Sequence, residues 1–295
     1  MPGAPPSCAN TEGGIHEHWG ELEGHRLRFL HGGSGPPLLL IHGLLGYSFS
    51  WRFNLQELAR SATVFAPDLL GTGHSERPAG LDCSLTAIAA RLLKFLDAQG
   101  IERFDLLGTS HGGAVAMMLA VRAAEDHRRV RRLILVDPAH PWSQPRPVLR
   151  NLLASPAGAA IFRTVAPFVK FTHAHYLRRM YGDPGRIAPG TVAGYAAPLA
   201  IPGAFDYALS IVRCWNQDMG KLRAMLPNIG ELRTLLIWGS RDRVIPLESA
   251  VQLQRQFRNS RLVVVEGAGH LPYEEMPDQF NRILLDFLEK QEAGS

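Results

Sequence analysis

Short apolar runs separated by longer amphipathic stretches constrain this chain more than any other feature. The runs are Pro37 to His42 (PLLLIH), Ala62 to Pro67 (ATVFAP), Phe104 to Leu107 (FDLL), Leu133 to Val136 (LILV), Thr234 to Trp238 (TLLIW) and Leu262 to Val265 (LVVV). None alternates strictly between apolar and polar residues, so each reads as a strand covered on both faces. Helical patterns lie between them at Trp51 to Arg60, Leu85 to Gln99, Gly112 to Ala124, Leu247 to Phe257 and Pro277 to Glu289. Strand and helix in alternation predict an α/β fold built on a parallel sheet. Glu23 to Leu30 does alternate, and predicts an antiparallel edge strand paired with the residues around Glu17 to Leu22.

The rhythm breaks between Pro138 and Gly230, a proline-rich stretch with helical patterns at Pro147 to Leu153 and Ala204 to Met219 and no buried strand. It reads as a helical cap over the sheet, residues 138–230, inserted into a core formed by residues 1–137 and 231–295. Hydrophobic content of 46% with 20% charged residues is that of a globular chain. The basic cluster His127 to Arg132 reads as a solvated helix end, and no motif for nucleic acid accompanies it. No apolar stretch approaches the roughly 20 residues that span a bilayer, and the first ten residues do not resemble a signal peptide. Cys8, Cys83 and Cys214 are odd in number and far apart, which fits reduced thiols and a cytoplasmic location.

The polar residues of interest fall just after the apolar runs: His42, Asp68, Ser110, Asp137, Asp242 and His270. Open parallel sheets place their ligand sites at those carboxyl ends. Ser110 lies in Gly108-Thr109-Ser110-His111-Gly112, between a strand pattern and a helix pattern. A serine hydroxyl is a poor nucleophile until it projects from a sharp turn and meets a base. The glycines leave room for that turn, and the His111 N–H faces the place where an oxyanion would develop. Leu44, after His42-Gly43, is placed to supply a second N–H.

The elbow, the upstream His42-Gly43-Leu44-Leu45-Gly46, and the segments PDLLGTGHSERP (Pro67 to Pro78), WGSRDRVIP (Trp238 to Pro246) and EGAGHLPYEEMPDQF (Glu266 to Phe280) resemble the α/β-hydrolase fold family. The resemblance implies an eight-stranded, mostly parallel sheet with helices on both faces and a helical cap after the sixth strand. It also implies a triad of Ser110 as nucleophile, His270 as base and Asp242 as the acid that orients it. Some members keep the acid where Asp137 lies; the SRDRVIP pattern assigns it to Asp242 and leaves Asp137 capping its loop beside Pro138. Asp68 reads as a structural anchor. His42, Trp142, Phe168, Tyr176, Trp215 and Leu271 are the candidate substrate contacts. His173 and His175 in the cap lack a third ligand, so no metal and no cofactor is expected.

Serine at the elbow argues against branches that attack alkyl carbon with an aspartate. The first expectation is a carboxylesterase for small to medium, mostly apolar esters, working through an acyl-enzyme. The alternative is a carbon–carbon hydrolase for ring-cleavage products of aromatics, whose ketone substrate carries a carboxylate for which Arg178, Arg179 or Arg213 could serve. Members of that branch often carry tryptophan soon after the catalytic histidine, where this chain has Leu271-Pro272-Tyr273. Cofactor-free oxygenation and a small-molecule receptor are minor alternatives on the same fold. The expected partner is a small molecule, not a nucleic acid or a membrane, with the chain a monomer or homodimer.

Overall fold

The computed structural model describes residues 14–125, 129–143, 155, 158 and 174–289. Its eight strands are β1 (Ile15–Leu22), β2 (His25–Gly32), β3 (Pro37–Ile41), β4 (Thr63–Pro67), β5 (Phe104–Thr109), β6 (Val130–Val136), β7 (Thr234–Gly239) and β8 (Ser260–Val265). They form one sheet in the order β1-β2-β4-β3-β5-β6-β7-β8. β1 pairs antiparallel with β2, and β2 antiparallel with β4; every other pair is parallel. The long helices are α1 (Leu85–Ala98), α2 (His111–Glu125), α3 (Ala204–Met225) and α4 (Pro277–Glu289).

The period of two along each strand divides the core between the two faces of the sheet. On β3, Leu39 and Ile41 join Leu106, Leu135, Leu236 and Trp238 beneath α1 and α2. Leu38 and Leu40 point the other way, with Leu107, Ile134, Leu235 and Ile237, and meet Phe280, Leu284 and Phe287 of α4. All residues of β5 and β7 are buried, which is why these runs carry no polar alternation. β1 is exposed over most of its length, as an edge strand is.

Local chemistry sets the ends of α1. The Ser84 side chain accepts a hydrogen bond from Ala87 N–H at 3.3 Å, and the helix stops before Gly100, whose φ of 69° in the left-handed region suits a residue without Cβ. Two expected helices are shorter than their patterns. Trp51 to Arg60 divides into a 3₁₀ turn at Ser48–Trp51 and one helical turn at Leu55–Leu58. Trp51 is fully buried against Tyr273, with ring centroids 4.7 Å apart, and Arg52 reaches 2.8 Å to Glu274, so tertiary contacts outweigh helix continuity. Leu247 to Phe257 likewise divides into Leu247–Ser249 and Ala250–Gln254.

The segment between β6 and β7 is helical over 174–180, Thr191–Ala196 and α3. The pattern at Pro147 to Leu153 lies outside the described residues. Tyr207, Ile211, Met219 and Leu222 of α3 pack into the core layer of α1 and α2. Leu177, Tyr181 and Tyr195 pack into the layer of α4. The insertion therefore shares its apolar contacts with both layers of the sheet.

Candidate active site

Ser110 follows β5 directly and has φ of 52°, a left-handed conformation that costs a non-glycine residue of this kind about 1–2 kcal/mol. Backbone bonds hold it there. Ser110 N–H donates to Val136 O at 3.0 Å, while Ser110 O accepts from Gly113 N–H at 2.9 Å and Ala139 N–H at 2.8 Å. The glycines are steric requirements: a Cβ on Gly112 would lie 2.3 Å from His42 O, and one on Gly108 would lie 2.2 Å from Gly112 O. The turn thus packs directly on the loop after β3. A Cβ on Gly43 would lie 3.7 Å from Ser110 Oγ, so that loop passes beside the hydroxyl. Leu44, 37% exposed, sits in a turn closed by Gly46 N–H on Gly43 O at 3.1 Å.

His270 follows β8 in a buried loop, its own N–H donating to Met180 O at 2.6 Å. Its Nδ1 is 2.7 Å from Asp242 Oδ2. Asp242 Oδ1 accepts from Val244 N–H at 2.7 Å and Ile245 N–H at 3.1 Å. With Nδ1–H donating to a carboxylate, the neutral tautomer leaves Nε2 as the free base, and Nε2 has no partner among the described residues. Asp137 lies in the same cluster, with ligand atoms of Asp137, Asp242 and His270 all within 4.8 Å of one another. It caps Gly239 N–H at 3.0 Å and has φ of 42°. Burial, then the Asp242 charge, push its carboxyl well above the usual carboxylate range.

Two candidates near the elbow are fully engaged or fully buried. His42 Nδ1–H donates to Gly43 O at 2.8 Å, and its Nε2 accepts from Leu69 N–H at 3.2 Å and lies 3.1 Å from Thr72 Oγ1. It ties the loop after β3 to the turn after β4. His111 is 3% exposed and edge-on to Tyr207 at 6.5 Å. Burial, then His42, push its imidazole down to about 3, so it is neutral at ordinary pH. Asp68 accepts from Ser48 N–H, His74 N–H and Arg28, which makes it an anchor between loops.

The remaining candidates are placed differently. Leu271 is buried beside His270 in the α4 layer. Trp142 and Trp215 are half-buried against the α1 and α2 layer. Tyr176 is 53% exposed, and Phe168 lies outside the described residues. Arg178, Arg179 and Arg213 are all exposed, as is His175; His173 lies outside the described residues.

Glu274 and Glu275 are additions that the motif reading did not single out, although both stand in the quoted EEMP. Glu275 Oε2 accepts from Gly269 N–H at 2.8 Å and Gly182 N–H at 2.9 Å, and Oε1 from Asp183 N–H at 2.7 Å. One buried carboxylate thereby fixes the loop carrying His270 to the insertion. Glu274 accepts from Arg52 and from the Tyr181 hydroxyl, both at 2.8 Å, and from the Tyr195 hydroxyl. Two acidic residues in a run are a usual helix-surface pattern, so only their burial reveals the role.

A profile of the alpha/beta hydrolase fold matches residues 36–277. The 2-hydroxymuconate semialdehyde hydrolase of Pseudomonas sp. (strain CF600) is 30% identical over 278 residues, covering 89% of this chain and 90% of its own. Haloalkane dehalogenase 2 of Mycobacterium bovis is 27% identical over 285 residues, covering 92% and 94%. Among solved structures, the 2-hydroxy-6-oxo-6-phenylhexa-2,4-dienoate hydrolase of Rhodococcus sp. strain RHA1 superposes with a TM-score of 0.78 at 23% identity, covering 94% of this chain and 99% of that one. Strand order, elbow and profile agree, and the chain belongs to the alpha/beta hydrolase fold family.

Proposed function

We propose that the chain is a serine hydrolase that attacks a carbonyl carbon through Ser110. The observation that carries this reading is the His270 imidazole, anchored at Nδ1 by Asp242 and free at Nε2, on the same sheet edge as a serine held at positive φ. In this reading His270 Nε2 takes the Ser110 proton as Oγ adds to the carbonyl. The oxyanion rests on the N–H groups of Leu44 and His111, helped by the positive end of α2. His270 then protonates the leaving group, and a water activated by the same nitrogen releases the acid.

Carboxylic esters of small to medium apolar acids are the first substrate class. Leu271, buried directly after His270, supplies an apolar wall, and Arg178, Arg179 and Arg213 are exposed. Carbon–carbon cleavage of a dienoate ketone is the second, supported by the curated relatives at 30% and 31% identity. The residue after the base favours the ester, whereas the relatives favour the ketone. Serine, where an alkyl-carbon hydrolase needs a carboxylate, sets the dehalogenase likeness aside as a likeness of fold.

The deciding experiment follows p-nitrophenyl esters from acetate to laurate, and a 2-hydroxy-6-oxohexa-2,4-dienoate, with wild type and Ser110→Ala. Multiple turnovers of esters, lost in the variant, support the first class, and loss of the dienoate chromophore supports the second. Turnover that survives in Ser110→Ala overturns the proposal.

A further inference from the structure

The β1–β2 hairpin takes no part in the site described above, yet His16, His18, His25 and His31 place four of the chain's 12 histidines there. His16 and His18 alternate along β1 and so share a face. His31 is the direct cross-strand partner of His16, and His18 pairs with Phe29, two residues from His31. The His18 and His31 rings are 5.4 Å apart at 87°. Two imidazoles bound to one tetrahedral zinc at the usual nitrogen distance have centroids about 5 Å apart. That centroid separation is close to the spacing of ligands, and side-chain rotation is what brings the ring nitrogens to a shared ion.

His16 lies along its strand with Nε2 over Gly14, 2.7 Å from where a Cβ would stand. It is exposed, so a side-chain rotation brings it to its cross-strand partner. The surroundings suit a bound cation of the transition series. Beneath the rings the floor is aromatic, with Phe29 stacked on His18 at 5.4 Å and Phe65 against His31 at 4.5 Å. Above them, His16 and His18 open to water. Glu17, on the opposite face, is taken by Arg28.

Among the described residues the histidine ion pairs are His25 with Glu76 and His270 with Asp242, so no carboxylate holds these three as cations.

We propose that His16, His18 and His31 form a site for a divalent transition metal of the zinc, cobalt and nickel class, with water in the fourth position. Three imidazoles with an open position form a known ligand set for zinc. Its consequence is structural: the metal ties the exposed edge strand β1 to β2, where the sheet has no further strand to hold it. The reaction at Ser110 does not depend on it.

The test uses the full chain without an affinity tag, stripped of metal with a chelator and titrated with Co²⁺. One Co²⁺ per chain is expected, with the visible absorption of four-coordinate cobalt, displaced by Zn²⁺, and a melting temperature raised by Zn²⁺. His18→Gln and His31→Gln are each expected to weaken Co²⁺ binding at least tenfold. His25→Gln, on the same hairpin but paired with Glu76, and His270→Ala, at the other cluster, are expected to bind as wild type does. No Co²⁺ bound at about 100 µM, or an affinity unchanged in His18→Gln or His31→Gln, overturns the proposal. Because His18 is exposed, circular dichroism of that variant separates lost binding from lost fold.

Discussion

The carboxyl group of Asp137 lies against that of Asp242, in a cluster that also contains His270 and is sealed from solvent. The Asp242 oxygens are engaged by two backbone N–H groups and by His270. Asp137 Oδ1 accepts from Gly239, and Oδ2 receives no hydrogen bond among the described residues. Burial, then the Asp242 charge, push the Asp137 carboxyl well above the usual carboxylate range, so it keeps its proton as a neutral donor facing Asp242. An asparagine reproduces that neutral donor. Asp137→Asn is therefore expected to retain turnover of whichever substrate the wild type accepts within a few-fold, whereas Asp242→Asn loses on the order of 10⁴ by selecting the wrong tautomer of His270. Steady-state kcat/KM of the two variants checks this, and an equal loss in both would show that the acid's role is shared.

Backbone strain at Ser110 predicts that function and stability diverge. Ser110→Gly relieves the positive φ and is expected to raise stability by about 1 kcal/mol while abolishing turnover. Ser110→Ala keeps the strain and loses turnover without a gain in melting temperature. Calorimetry on the three proteins distinguishes them.

Glu275→Gln tests how the His270 loop is held. The carboxylate accepts three backbone N–H groups, and an amide offers one oxygen and a competing NH₂. The change is expected to cost about 2–4 kcal/mol and to lower kcat along with the melting temperature. Unaltered melting would mean that the insertion is not held through this carboxylate.

Acid sensitivity follows from His111. Its folded form binds a proton only near pH 3, while the unfolded chain binds one at about 6.5. The unfolded state binds more protons throughout that window, so stability falls as pH drops from about 6.5 toward 3. The contribution reaches about 2 kcal/mol at pH 5. His140, pushed down to about 4 by burial, acts with the same sign. Asp218, pushed up to about 6 by burial, acts oppositely: the folded state binds the extra proton between about 4 and 6. His111→Phe, which keeps the edge contact with Tyr207, is expected to flatten the acid limb of a denaturation series from pH 7 to 4.5. A limb unchanged from wild type would contradict the neutral assignment.

The layered sheet was legible in the residues because apolar runs of four to six report burial on both faces directly. The six strands begin or end within three residues of their runs, and five are mostly buried, whereas β8 lies at the sheet edge opposite β1 and buries only Val265. β1 and β2 pair antiparallel as the alternating segment predicts, with β1 rather than β2 at the edge. Patterns were less informative at Trp51 to Arg60, where helical periodicity was present but the burial of Trp51 and the pull of Glu274 on Arg52 broke the helix. Periodicity measures a local preference, and contacts with Tyr273 and Glu274 come from residues more than 200 positions away.

The site divides along the same line. Ser110, Asp242 and His270 were visible because a strand end, a glycine-flanked turn and a loop proline are local signals. The preference for Asp242 over Asp137 rested on a motif; the tertiary structure sets Nδ1 of His270 at 2.7 Å from Asp242 and turns Asp137 onto Gly239. Glu274 and Glu275 looked like a helix surface in the sequence, and only the fold, by excluding water around them, made them struts between the His270 loop and the insertion. Sequence by itself determined which groups stand at the strand ends, since strand length and turn chemistry are local. Tertiary structure alone decided which of them carry charge, because a carboxyl's charge depends on how much water and which neighbours the whole fold leaves around it.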